Sequence, residues 1–211
     1  LVSGGLDSAI LLALESKSGR DVWPVYVRCG LAWEPAELYW LRRFLRASRL
    51  PRLLPLSILS FPVRELYGSH WSLSGRGVPG ARSAEAAVYL PGRNLLLLGM
   101  AGVAASQRGV ARLALGTLRG NPFGDASPRF FRSMAGVLRQ ALESPFSISA
   151  PLKRFTKSQL IRGWRNLPLE LTFSCLRPSG LRSCGRCNKC AERQKAFREA
   201  GVADHTRYAR A

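Results

Sequence analysis

Leu1-Val2-Ser3-Gly4-Gly5-Leu6-Asp7-Ser8-Ala9-Ile10-Leu11-Leu12-Ala13-Leu14 is the stretch on which the fold turns. Leu1-Val2 has the character of a strand end, Ser3 to Ser8 of a turn, and Ala9 to Leu14 of a helix that follows at once. Two adjacent glycines let the backbone turn tightly and aim its N–H groups inward. Ser3 and Ser8 add hydroxyls, and the start of the helix adds its partial positive charge. Such a strand–turn–helix makes a nest for an anion the size of pyrophosphate. A plainer reading is a Gly-rich turn with Asp7 or Ser8 as N-cap. The string is longer than that purpose needs. It also lacks the Gly-Lys-Ser/Thr ending of a Walker loop, so a γ-phosphate clamp is not expected.

Working outward, strand and helix patterns alternate. Val22 to Val27 is a β-branched and aromatic run after Gly19, hence a second strand. Glu34-Pro35 opens a helix with Leu38, Leu41 and Leu45 at helical spacing. Leu53 to Leu56 reads as a third strand. Phe61 to Gly92 is rich in Gly, Ser, Pro and His, and an excursion with at most one short helix is expected there. Arg93 to Gln107 is an apolar, buried helix, and Arg112 to Gly116 a fourth strand. A loop over Gly120 to Pro128 leads into a helix over Phe130 to Leu142. Ser147 to Ala150 is a fifth strand, Thr156 caps a helix that begins at Lys157, and Ala191 to Ala200 closes the chain. This order predicts an α/β fold: a doubly wound, mostly parallel five-stranded sheet with helices on both faces. Ligands of such sheets bind at the carboxyl ends of the strands.

The chain has 211 residues, 46% hydrophobic and 21% charged, which excludes a disordered or low-complexity protein. Its longest apolar run, Leu95 to Ala105, is far short of the roughly 18 residues of a membrane span. The sequence starts at Leu1 without Met or signal peptide, and is expected to enter in mid-strand. The net charge is +19, with 27 Arg and five Lys against 13 acidic residues. Such a surface attracts phosphates, nucleotides and nucleic acid. The arginines are scattered, with no run longer than Arg42-Arg43, so solvated faces are favoured over a dedicated nucleic-acid surface.

Four of the five cysteines, Cys175, Cys184, Cys187 and Cys190, fall within sixteen residues. A long chain with a sizeable apolar core is not a disulfide scaffold, and a reducing cytoplasm suits it better. Four thiolates suit tetrahedral, structural Zn²⁺. An iron–sulfur cluster and plain reduced core cysteines are the rival readings. Cys29 reads as strand-end packing, and His70 and His205 have no partner at metal spacing.

The Ser3-to-Ser8 string is the signature of the PP-loop ATP pyrophosphatases, and the chain resembles the 7-cyano-7-deazaguanine synthase family of queuosine-precursor biosynthesis. Leu90-Pro91-Gly92-Arg93-Asn94-Leu95 is similar to that family's Pro-Gly-Arg-Asn segment, as are Ala150-Pro151-Leu152 with Lys157 and the four-cysteine spacing. The resemblance implies an ATP-binding domain over residues 1–172, with the zinc knuckle and terminal helix, 173–211, packed on it. It implies an ATP-dependent ligase that activates a deazapurine carboxylate, admits ammonia to give an amide, and dehydrates this to a nitrile. Ser3, Gly4, Gly5, Leu6, Asp7, Ser8, Arg93 and Gly116 are then the ATP-binding residues. Asp7, Ser8, Arg93 and Lys157 are the catalytic ones, with Arg93 and Lys157 near the phosphates. The rival for Arg93 is a helix opener and for Lys157 a solvated first-turn residue; Asp7 stands between Mg²⁺ ligand and N-cap.

The loop Gly120-Asn121-Pro122-Phe123-Gly124-Asp125-Ala126-Ser127 departs from the family's Ser-Gly-Tyr-Pro-Asp-Cys-Arg, with Ala126-Ser127 in place of Cys-Arg. Asp125 reads as a reader of a guanine-like edge or as a helix cap, and Phe123 as base-stacking or core. Arg119, Arg129 and Arg132 are candidates for the substrate carboxylate, Arg129 first. Partners implied are ATP, ammonia and a small-molecule substrate, with no membrane and a homodimer. The alternatives are a PP-loop enzyme that adenylates a tRNA base or a related heteroaromatic acid, and a non-catalytic nucleotide-binding module.

Overall fold

The computed structural model describes residues 1–209. Four short strands form two parallel pairs: β1 (Val25–Arg28) with β2 (Ser57–Ser60), and β3 (Arg112–Ala114) with β4 (Ser147–Ser149). Leu1 and Val2 run between the pairs. The Val2 N–H donates to the Val25 carbonyl at 2.9 Å, and the Leu1 amino group to the Ala114 carbonyl at 2.8 Å. One bond to each flank is no ladder, so the expected five-stranded sheet is observed as two parallel pairs with a linking segment. The third strand lies later than Leu53–Leu56. Pro24 and Pro55 have no N–H to donate, and Val22 and Leu53 meet only in an isolated bridge before regular pairing begins at Val25 and Ser57.

The helices follow their sequence punctuation. α1 (Leu6–Ser16) leaves the Gly-rich turn, and α2 (Glu34–Ser48) carries Pro35 in its first turn and buries Trp40, Leu41 and Phe44. The excursion is more ordered than expected. It holds α3 (Arg64–Tyr67), α4 (Trp71–Ser74) and a 3₁₀ turn at Glu85–Val88. Aromatic packing explains the difference, because Trp71 stacks on Trp33 with centroids 5.8 Å apart, and His70 Nδ1 accepts from the Ser72 N–H to cap α4.

α5 (Arg93–Ser106) starts at Gly92, whose φ of +70° is the left-handed conformation that glycine adopts without strain. Its Leu98, Ala101 and Ala105 are fully buried against β3 and α6 (Pro128–Leu142). Ser127 caps α6 by accepting from the Phe130 N–H. Thr156 caps α7 (Lys157–Gly163) as the sequence predicts, and the structure adds Gln159 to complete a capping box. α8 (Asn188–Ala200) begins three residues before the expected Ala191. Leu6, Ile10 and Leu11 of α1 share a core with Leu160 and Ile161 of α7 and with Ala196 and Phe197 of α8. Thus α8 sits directly behind the Gly-rich turn.

One buried cation fixes it there. Arg193 is 2% exposed and donates to Thr172 Oγ1 (2.7 Å), the Leu169 carbonyl (2.8 Å) and Thr206 Oγ1 (2.7 Å), with Asp204 at 3.5 Å. A buried charge fully supplied with partners resists displacement, since losing them would leave it unpaired. Among the described residues, no helix is long and apolar enough to cross a membrane.

Candidate active site

The turn from Ser3 to Ser8 is held by its own hydroxyls. The Ser3 N–H donates to Ser8 Oγ at 3.0 Å, the two serine oxygens lie 3.1 Å apart, and the Gly5 N–H donates to Ser3 Oγ at 3.2 Å. Gly5 occupies the N-cap position of α1, so Asp7 and Ser8 lie inside its first turn and neither is the cap. Gly4 is required by its neighbour: a Cβ there would lie 2.6 Å from the Glu37 carbonyl oxygen on α2. A Cβ on Gly116, just past β3, would lie 3.1 Å from the Asp7 backbone. Leu6 is 2% exposed and turns its side chain into the core, leaving only its backbone for the nest.

In front of this turn lies a cavity of about 350 Å³. Asp7, Arg93, Gly116, Phe123, Asp125 and Lys157 all line it. A second hollow of about 180 Å³ contains Ser3, Ser8 and Glu37, and the two share Arg93, Asn94, Gly116 and Thr117. Residues from five separated parts of the chain thus converge at the carboxyl ends of the strands, as such sheets require. Arg129 does not join them: it is exposed on the first turn of α6, off the walls of both hollows, whereas Arg119 lines the larger one.

The polar groups here are only partly satisfied. Three buried side-chain atoms among the described residues have no hydrogen-bond partner: Asp7 Oδ1, Arg93 Nε and Thr117 Oγ1. All three residues line the larger cavity. An unpaired buried polar atom costs about 1–3 kcal/mol, so three in one place mark a surface built for a polar ligand. A carboxylate oxygen and a hydroxyl can ligate a hard cation, and a guanidinium N–H can donate to an anion.

Charge is arranged in an alternating chain. Lys157 Nζ lies 3.5 Å from Asp7 Oδ2 and donates to Glu192 Oε1, while Lys189 Nζ donates to Glu192 Oε2 at 2.6 Å. Burial pushes the Asp7 carboxyl above its ordinary range, outweighing the pull of Lys157. Burial alone would lower the Lys157 ammonium, but Asp7 and Glu192 overcome it and the net direction is upward. Glu192 is held down to about 2: burial opposes this, and the two lysines prevail. Glu37, at the smaller hollow, is raised by burial against the pull of Arg93, and accepts from the Tyr26 hydroxyl at 2.7 Å.

The altered loop forms the opposite wall. Phe123 stacks on Tyr89 with centroids 4.9 Å apart and rings 24° from parallel. Asp125 Oδ2 accepts from the Asn94 N–H at 3.1 Å, and Asn94 Nδ2 donates back to the Asp125 carbonyl at 3.0 Å. The capping role is therefore real, but the helix capped is α5 and not α6.

Cys175, Cys184, Cys187 and Cys190 bring their sulfurs within 4.8 Å of one another. Four sulfurs about 2.3 Å from one tetrahedral ion stand about 3.8 Å apart, so a small closure completes a metal site. Backbone N–H groups of Leu176, Cys184 and Cys187 donate to Cys187, Cys175 and Cys184 sulfur respectively, which favours thiolates.

Sequence reasoning missed Tyr89, Thr117, Lys189, Glu192 and Glu37. Only Lys189 and Glu192 left a signal, an i,i+3 opposite-charge pair that straddles Cys190 at the end of the knuckle; the others become visible only when the chain folds. The tight backbone contact has a measurable consequence. Gly4→Ala must displace α2 backbone and should cost about 1–3 kcal/mol in urea unfolding. Gly5→Ala crowds the movable Ser3 hydroxyl, at 3.2 Å, and meets the Phe173 carbonyl only at an ordinary 3.8 Å, so it should cost less; equal stability of both variants with the parent would refute the contact.

The sequence profile of the family described as "Queuosine biosynthesis protein QueC" matches residues 1–201. A protein named 7-cyano-7-deazaguanine synthase from Anaeromyxobacter dehalogenans is 31% identical over 227 residues, covering all of this chain and 94% of that protein. Proteins of the same name from Methanothrix thermoacetophila and Solidesulfovibrio magneticus are 31% and 33% identical, each across 99% of this chain and 96% and 94% of their own lengths. With the loop, the Pro-Gly-Arg-Asn helix start and the four converging cysteines all in one molecule, the chain belongs to the QueC family of queuosine biosynthesis proteins.

Proposed function

We propose that this protein is an ATP-dependent ligase that converts 7-carboxy-7-deazaguanine and ammonia into 7-cyano-7-deazaguanine. The observation that carries this reading is the trio of unsatisfied atoms on Asp7, Arg93 and Thr117, gathered around a cavity in front of the Gly-rich turn. The carboxylate of the substrate attacks the α-phosphate of ATP, releasing pyrophosphate. Ammonia then adds to the acyl carbon and AMP leaves, giving the amide. A second ATP activates the amide oxygen in the same way, and loss of AMP and two protons from the nitrogen gives the nitrile.

The chain's residues divide the work by position. The Ser3–Ser8 turn receives the pyrophosphate at the α1 N-terminus; its Ser3 and Gly5 N–H groups are held by the Ser8 and Ser3 hydroxyls, so the anion is met by the first N–H groups of the helix itself. Arg93 and Lys157 meet the charge that builds as it departs, where fixed cations lower the barrier most. Gly116 brings the end of β3 against the turn and leaves room for the nucleotide. Asp7 and Thr117 would hold Mg²⁺, which supplies charge neutralisation on the phosphates. Phe123 offers a face for the deazapurine and Asp125 a carboxylate for its guanine-like edge. Arg119 takes the substrate carboxylate, since Arg129 lies off the cavity. In this reading Leu1-Val2 is the centre of a five-stranded order, β2-β1-Leu1/Val2-β3-β4. The four cysteines hold structural zinc in a reducing cytoplasm, and the assembly is a homodimer.

Two measurements follow. Purified protein should carry about one zinc per chain by elemental analysis, and Cys187→Ser should lose both metal and folded yield, because metal binding here is folding free energy; iron with visible absorbance would contradict the assignment. By calorimetry with a non-hydrolysable ATP analogue present, 7-carboxy-7-deazaguanine should bind. Asp125→Asn, which can still accept from the Asn94 N–H, should weaken it by about 1.5 kcal/mol or more. Binding of the analogue without any heat from the acid would keep the nucleotide site and discard this substrate.

A further inference from the structure

Glu192 stands where a simple phosphate site would not put a carboxylate. It lines the larger cavity together with Lys157 and Lys189 and engages both, one through each oxygen. The three side chains are only 19–33% exposed, so their mutual attraction is weakly screened. Lys157 comes from α7 and faces Asp7 of α1; Glu192 and Lys189 come from α8, whose first turn carries Cys190 and whose N-cap is Cys187. The cysteine cluster thus sets the position of the turn from which Glu192 reaches the cavity, and Arg193 clamps the same helix from behind.

We infer that Glu192 is a positioning residue that holds Lys157 and Lys189 as a paired clamp on the cavity wall and keeps Lys157 from closing onto Asp7. The inference rests on the reading of this cavity as the ATP site. The distances carry it. Lys157 stands 3.5 Å from Asp7 Oδ2, too far for a strong hydrogen bond, while it donates directly to Glu192. Without Glu192 the nearest carboxylate for Lys157 is Asp7, and an ammonium drawn there would shield the oxygen beside the unsatisfied Asp7 Oδ1. The four charges of Asp7, Lys157, Glu192 and Lys189 sum to zero. Removing Glu192 leaves the wall one unit more positive, so a polyanion still binds in the ground state while the lysines lose their geometry. Catalysis depends on interactions made in the transition state, and a misplacement of about 1 Å can cost about a hundredfold.

The test compares Glu192→Ala, Glu192→Gln and Glu192→Asp with the parent in nitrile formation, in Kd for a non-hydrolysable ATP analogue and in bound metal. The expected result is a kcat lowered about ten- to a hundredfold in the Ala and Gln variants, with analogue Kd equal to or below the parent's and metal content unchanged. Glu192→Asp should recover part of the rate. Parental kcat in all three variants overturns the inference. So does a rate loss matched by weaker analogue binding and lost metal, which is what a purely structural residue gives. If the Ala variant does not fold, the isosteric Gln variant decides. A parent enzyme that forms no nitrile overturns the functional reading instead; the positioning role then stands or falls on the analogue Kd, which must not rise in Glu192→Ala.

Discussion

Everything at the site depends on one backbone packed between two others. The turn at Ser3–Gly5 lies so close to the Glu37 carbonyl that Gly4 has no room for a side chain, and Gly116 presses on the Asp7 backbone from the far side. These contacts fix the direction of α1, and with it the aim of the free N–H groups at its start. They also bring Asp7 to the cavity rim, where burial raises its carboxyl and leaves one oxygen without a partner. The serine hydroxyls hold the turn from within, and the two backbone contacts wedge it from outside.

Around the wedge, charge is placed with economy. Of the few carboxylates, Glu34 accepts from the Cys29 and Gly30 N–H groups, Glu37 from Tyr26, Asp125 from Asn94, and Asp204 lies beside Arg193. These acidic groups are committed to internal partners, and the arginine-rich exterior is left largely uncompensated, which favours the approach of anions. Inside the cavity the balance differs. Asp7 and Glu192 alternate with Lys157 and Lys189, so the pocket holds its cations in defined places instead of as a diffuse positive field. The cysteine cluster contributes to this from a distance, because it anchors the first turn of α8.

The elements written in local chemistry were legible in the sequence: the Gly-rich turn before α1, Pro35 in α2, the apolar helix from Arg93 that is α5, and the Thr156 cap of α7. So was the cysteine cluster, whose four sulfurs the fold brings together. What failed depends on neighbours remote in sequence. Pro24 and Pro55 deferred strand pairing beyond where apolar runs suggested it. The Phe61–Gly92 excursion gained two helical turns and a 3₁₀ turn through packing such as Trp71 on Trp33, which no periodicity announces. Asp125 caps a helix that starts about thirty residues earlier, and Lys189 with Glu192 reach the site from a segment that reads as metal scaffold. The candidate site was therefore visible as a list of motif residues, but not the alternating charge chain that joins them.

Isotope transfer tests the account most directly. With 7-carboxy-7-deazaguanine labelled by ¹⁸O in its carboxylate, and with ATP, Mg²⁺ and ammonium present, attack on the α-phosphate moves one labelled oxygen into AMP as the amide forms. Mass spectrometry should find labelled AMP alongside unlabelled pyrophosphate and the nitrile product. Label in inorganic phosphate, or nitrile formed with AMP unlabelled, would contradict carboxylate activation at the nucleotide site described.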